Sequence, residues 1–190
     1  MIKMENKEIE KILKKAGCPT RYLTADFSNY QVYNEKQGKC AETIKSAGDK
    51  WLCLTGNTGT GKTHLAISLM REKIKANNWL LYTGIYSDIK KIIDSILAAD
   101  FARKAEIIRN LSEANFLIID EIGRSIETKY FQDFIFEVLN NRYNEYKQTV
   151  IISNLNKEEL FGKYFDEAVS RRISEMGEVI NFDWQFYKEA

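Results

Sequence analysis

Cysteine is scarce in this chain and poorly placed for chemistry. Cys18, Cys40 and Cys53 lie far apart and form no C-x-x-C pair, which argues against a zinc site and a disulfide framework and fits a reducing cytoplasm. The single histidine, His64, has no acidic or cysteine cluster around it, so it is a poor basis for a metal centre and reads as a packing or capping residue. An excess of one charge is also missing. With Lys+Arg 28 against Asp+Glu 27, no global basic field advertises nucleic acid, and any DNA contact must be local and weak in the isolated chain. No stretch approaches the apolar length of a membrane span, and the first residues lack the apolar core of a signal peptide. The expectation is a cytoplasmic protein without membrane contact. There are no internal repeats, low-complexity segments or linker-like runs, and 190 residues with 44% hydrophobic content suit one domain with one substantial core.

Against that plain background one stretch stands out. Gly56-Asn57-Thr58-Gly59-Thr60-Gly61-Lys62-Thr63 fills every fixed position of the phosphate-binding pattern G-x-x-x-x-G-K-[ST]. Its flanks agree with the motif. Trp51 to Thr55 is a short apolar run of strand character, and Leu65, Leu69, Met70 and Ile74 repeat at helical spacing from Lys62 to about Ala76. Strand, glycine loop and helix in that order aim backbone N–H groups and the positive end of a helix at one point, where a triphosphate can sit. Lys62 would reach the β- and γ-phosphates, and the Thr63 hydroxyl would complete a Mg²⁺ shell. The cofactors expected are therefore ATP and Mg²⁺, with His64 directly after the loop at the start of its helix.

Ahead of the loop, Ile9, Ile12, Leu13 and Ala16 share one face of a short helix that Gly17 and Pro19 would end. Residues 1–22 thus read as a helix and connector open to core packing, a dimer contact or partner docking, with the ATPase domain spanning 23–190. Tyr22 or Phe27 could flank a base, although core packing is the commoner role for such residues. A second helix follows from about Val32 to Ala47. After the loop, Trp79 to Thr83 reads as a second strand and Ser87 as the cap of a helix carrying Ile89, Ile92, Ile93, Ile96 and Leu97. Lys90 and Lys91 lie off that stripe, either solubilising or tracking a phosphate backbone.

Asn115-Phe116-Leu117-Ile118-Ile119-Asp120-Glu121 is an apolar run ending in two carboxylates, the Walker B pattern with an added glutamate. A buried parallel strand reads this way, and ligands bind at its C-terminal edge. Asp120 would hold Mg²⁺ through its water shell, while Glu121 would orient and polarise an attacking water. A long helix, Thr128 to Lys147, then covers the sheet with Phe131, Phe134, Ile135, Val138 and Leu139. The fourth strand, Thr149 to Ile152, ends in Ser153-Asn154, with Asn154 the candidate to sense the γ-phosphate or else to cap the next turn. Asn156 with Glu159 has the form of a capping box. A helix near Asp166–Met176 carries Arg171-Arg172, and Val179 to Phe182 is the last strand.

The ordered set resembles the AAA+ core, and more narrowly the bacterial helicase loaders of the DnaC/DnaI family with their IstB-type transposition relatives. The residues that carry it are Ala16 to Tyr22, Gly56 to Thr63, Ile119 to Gly123, Asn141-Arg142-Tyr143, Ile152 to Leu155, Arg172-Ile173 and the tail Ile180 to Tyr187. The resemblance implies an α/β P-loop NTPase whose five-stranded parallel sheet runs 5-1-4-3-2 between helices, with no separate lid domain. It also implies an ATPase, stimulated by self-assembly or partners, that binds single-stranded DNA weakly, assembles with copies of itself and places a replicative hexameric helicase on DNA. Asn154 then matches the first sensor and Arg172 the arginine finger, with Arg171 beside it. Loaders of this family generally carry a larger N-terminal module, of which only the helix at Ile9–Ala16 is seen. A transposase regulator is the alternative reading. A small-molecule kinase is a third, but kinases do not typically end strand three in Asp-Glu before Ile-Gly.

Overall fold

The computed structural model describes residues 4–76, 83–123 and 129–185. Its elements in chain order are α1 (Asn6–Lys15), α2 (Glu35–Lys45), β1 (Trp51–Gly56), α3 (Lys62–Ala76), β2 (Gly84–Asp88), α4 (Ile89–Leu97), α5 (Phe101–Glu113), β3 (Phe116–Ile122), α6 (Lys129–Asn144), β4 (Gln148–Ser153), α7 (Lys157–Glu159), α8 (Glu167–Met176) and β5 (Gly177–Phe182). Among the described residues the strands form one five-stranded sheet in the order β2-β3-β4-β1-β5. Every pairing in it is parallel. This is the expected order read from the other edge.

Strand periodicity divides the core in two. Leu52, Leu54, Phe116, Ile118, Val150, Ile152, Ile180 and Phe182 face the layer made by α1, α2 and α3. Cys53, Leu117, Ile119 and Ile151 face α4, α6 and α8 on the other side. A sheet covered on both faces explains why its central strands read as unbroken apolar runs. The three cysteines are buried free thiols, and burial pushes Cys18 and Cys53 up to about 12, so they act as small packing residues. No described helix is long and apolar enough to cross a membrane.

Two sequence expectations change here, and of the readings left open for the first helix the structure shows core packing. Among the described residues the second strand of the sheet is Gly84–Asp88; of the expected strand Trp79 to Thr83, residues 79–82 lie outside those described, and Thr83 is not in a strand. Gly84–Asp88 is an edge strand covered unevenly, so its alternation is faint beside the apolar run that precedes it. The cap of α4 is Asp88, whose carboxylate accepts from the Lys90 N–H at 2.7 Å, rather than Ser87. In α1, Ile9 and Leu13 are fully buried in the core. The apolar face of α1 is thus taken up by its own domain, leaving exposed residues such as Lys7, Glu8, Lys11, Lys14 and Lys15 for any partner.

Arg142 is wholly buried yet charged. Its guanidinium donates to Thr149 Oγ1 at 2.8 Å, to the carbonyls of Leu111, Ser112 and Ala114 at 2.8, 3.1 and 2.8 Å, and to that of Gln148. One planar fork therefore closes the end of α5 against the start of β4, a geometry that an ammonium cannot reproduce. Arg142→Met strands these carbonyls and should cost about 3–5 kcal/mol. At roughly 2–4 °C per kcal/mol for a chain of this size, a melting temperature lowered by only a degree or two would contradict the assignment.

Candidate functional site

The loop after β1 is shaped by three glycines with positive φ, Gly56 at 106°, Gly59 at 77° and Gly61 at 94°. It is also tied at both sides. The Gly56 N–H donates to the Leu155 carbonyl at 3.0 Å, and the Asn57 N–H to the Phe182 carbonyl at 2.8 Å. A Cβ on Gly56 would lie 2.5 Å from that same Phe182 oxygen, so no other residue fits without moving β5. Within the loop Thr60 Oγ1 donates to the Asn57 carbonyl at 2.7 Å.

Lys62 opens α3 with its ammonium folded back into the loop, donating to the carbonyls of Gly56 and Asn57 at 2.8 and 2.6 Å. Burial lowers its pKa to about 8, and the nearby Asp120 carboxylate offsets part of that effect. A buried cation whose hydrogen bonds go to backbone carbonyls is a group waiting for an anion. If the protonated amine holds ATP, affinity should be flat on the acid side and fall as pH rises through about 8, by up to tenfold per unit. A fluorescent ATP analogue titrated between pH 6.5 and 9.5 checks this, and an affinity unchanged to the alkaline end would contradict it.

Beside Lys62, Thr63 Oγ1 donates to Asp120 Oδ2 at 2.8 Å. Phosphate loop and third strand thus meet at one hydroxyl and one carboxylate, the hard oxygen ligands that suit Mg²⁺. Asp120 is buried. At Glu121 the chain turns with a φ of 62°, the β3–β4 register shifts between Ile119 and Ile122, and the Glu121 N–H donates to Asp120 Oδ1 at 2.7 Å. A bulge of this kind re-aims a side chain at a sheet edge. Left-handed backbone at a non-glycine residue costs on the order of 1–3 kcal/mol and tends to be kept where function needs it.

The adjoining edge is fixed by Ser153, whose hydroxyl donates to the Ile122 carbonyl at 2.7 Å and accepts from the Leu155 N–H at 3.1 Å. Asn154 follows, exposed at the end of β4, so the cap of the next turn is Asn156, paired with Glu159 in a full capping box. Arg171 and Arg172 sit apart on α8. Arg172 donates to Asn140 Oδ1 at 2.7 Å and to the Ala168 carbonyl at 3.0 Å, with its guanidinium over the rings of Phe136 and Tyr143. Arg171 is exposed and reaches Glu175 at 3.5 Å.

Sequence reasoning missed the aromatic side of the site. A cavity of about 220 Å³ next to Gly59–Gly61 is lined by Tyr30, Tyr33, His64 and Trp184 among others. Tyr30 donates to the Thr60 carbonyl at 3.1 Å, and its ring centroid is 5.5 Å from that of His64, whose Nε2 lies 3.1 Å from the Asp26 carbonyl oxygen. Tyr22 and Phe27 pack on the core instead, as the commoner alternative had it. An aromatic three residues beyond Phe27 carried no separate signal in the sequence.

Residues 5–176 match the family model described as IstB-like ATP binding protein. The chain belongs to this family. Among curated relatives it is 28% identical over 188 residues to the uncharacterized protein YdaV of Escherichia coli (strain K12), covering 95% of this chain and 74% of that one. It is 24% identical over 188 residues to the replicative helicase loader DnaC of the same organism, covering 95% and 76%. Among solved structures the crystal structure of the DnaC helicase loader superposes with a TM-score of 0.70 at 22% identity, over 86% of this chain and 99% of that one. The fold is that of an AAA+ ATPase core, and this member of the IstB-like family carries it with a phosphate loop and a Walker B strand in contact.

Proposed function

We propose that this IstB-like protein is an ATP-gated assembly factor that places a replicative ring helicase on DNA. The observation that carries the ATP chemistry is the Thr63–Asp120 contact at 2.8 Å beneath the buried Lys62 ammonium. The loader role is supported by a likeness, over 95% of this chain and 76% of the relative, to a protein named for it.

In this reading the loop N–H groups and Lys62 bind the triphosphate, with Tyr30, His64 and Trp184 around the base. Thr63 and Asp120 are the residues that would hold Mg²⁺, which when bound draws charge from the β- and γ-phosphates. Glu121 accepts a proton from the attacking water, and Asn154 reports the γ-phosphate from the end of β4. The arginine pair of α8 acts on the nucleotide of a neighbouring copy during ATP-dependent self-assembly. Arg171 is free to extend, whereas Arg172 holds α8 to α6. Single-stranded DNA meets local basic residues such as the exposed Lys90 and Lys91. An arginine supplied in trans is worth roughly a thousandfold in kcat, so the isolated monomer should be a slow ATPase.

The decisive measurement is size-exclusion chromatography with light scattering on a mixture with the host's replicative helicase, with and without ATP and Mg²⁺. Co-elution as a defined complex is expected. No complex in any nucleotide state would move the reading to a regulator of a transposase, in keeping with the IstB-type family model, and duplex bending would then be the assay.

A further inference from the structure

Tyr86 has no part in the phosphate loop or the Walker B strand, yet it touches the centre of the site. It lies on β2, opposite Ile118 in the parallel register that also sets Asp88 opposite Asp120. Its ring is buried in the core, and its hydroxyl donates to Asp120 Oδ2 at 2.8 Å. That oxygen therefore accepts two hydroxyls, from Tyr86 and from Thr63, while Oδ1 accepts the Glu121 N–H.

These donors are not equivalent. Thr63 is the residue whose hydroxyl would turn to Mg²⁺, and in turning it releases Asp120. Tyr86 is not a ligand in that scheme and stays, so it is the hydroxyl left to fix the carboxylate when the metal arrives. Its own position is set from outside the site. The Tyr86 N–H donates to the Ala16 carbonyl at 2.7 Å, at the end of α1. The next residue, Gly17, has a φ of 94°, and a Cβ there would come within 2.6 Å of the Tyr86 carbonyl oxygen. The outer backbone of an edge strand is ordinarily unpaired, and here the α1 connector occupies it at this one residue.

We infer that Tyr86 is a positioning residue for Asp120, holding the Mg²⁺-site carboxylate in place with its hydroxyl while the Ala16–Gly17 connector holds its backbone. The inference rests on the Mg²⁺ reading of Thr63 and Asp120. A group that orients a metal-binding side chain is typically worth 10–100-fold in metal affinity.

The test is Tyr86→Phe, which keeps the buried ring and removes only the hydroxyl. Binding of a fluorescent ATP analogue is followed as Mg²⁺ is titrated, together with binding in EDTA and the melting temperature. The half-saturating Mg²⁺ concentration should rise about tenfold, with binding in EDTA unchanged. An unaltered Mg²⁺ dependence, with or without a lower melting temperature, would make Tyr86 a packing residue only and overturn the inference. Wild-type binding indifferent to Mg²⁺ would instead sink the metal reading itself, and the role of Tyr86 with it.

Discussion

ATP binding falls by about a thousandfold when Lys62 is replaced by alanine. Removing one partner of a buried charge pair costs roughly 3–5 kcal/mol, and each 1.4 kcal/mol is a factor of ten in affinity. The usual ambiguity of such a variant, lost binding against lost folding, is weak here. Burial already lowers the Lys62 pKa to about 8, which means that the empty fold carries this cation at a cost. Of the two carbonyls that it satisfies, that of Asn57 is on an exposed residue where water can replace the amine, and the lost bond to the buried Gly56 carbonyl is offset because the charge no longer has to be buried. The melting temperature of Lys62→Ala without nucleotide should therefore stay near that of the parent. Calorimetric titration with ATP and Mg²⁺ reads the affinity. A loss smaller than about tenfold would show that the loop N–H groups hold the triphosphate without the lysine.

Glu121→Gln separates binding from turnover. The amide keeps the size of the carboxylate but cannot take a proton from water, and positioned general bases contribute about 10²–10⁴ to rate. Single-turnover hydrolysis should fall by at least a hundredfold, with ATP affinity within a factor of about three of the parent, because Glu121 is not a phosphate ligand. The backbone geometry sharpens this expectation. Asp120 Oδ1 is already engaged by the Glu121 N–H and Oδ2 by the Thr63 and Tyr86 hydroxyls, so Asp120 is poorly placed to substitute. Normal hydrolysis by the glutamine variant would remove Glu121 from the mechanism.

Legibility in the sequence followed burial and locality. The phosphate loop is contiguous and its glycines serve the backbone directly, so its role could be read residue by residue. β3 and β4 lie inside the sheet with both faces covered, and continuous apolar runs mark them. β2 lies at the edge, where Gly84, Ile85 and Ser87 are only half-buried, and the stronger apolar run just before it drew the assignment away. α1 read correctly as amphipathic, but periodicity cannot say what covers an apolar face; α3 and the sheet do. Arg142, Tyr30 and Tyr86 were opaque for a different reason. Each works through atoms brought from distant parts of the chain, and an arginine within a helix or a tyrosine on a short strand looks alike whether it is buried or exposed.

The parallel sheet sets a timetable for biosynthesis. β1 lies between β4 and β5, and the loop that leaves it is fastened by the Phe182 carbonyl and by Asn57 Nδ2 donating to the Asp183 and Trp184 carbonyls, 126 and 127 residues further along the chain. At about 5–20 residues per second of translation, the ribosome works for many seconds after making Lys62 before it makes the strand that holds the loop in shape. Nascent chains arrested before β5 should therefore be blind to ATP even though every residue that touches the phosphates has been made, and the capacity to bind nucleotide becomes a sign that synthesis has passed the last strand.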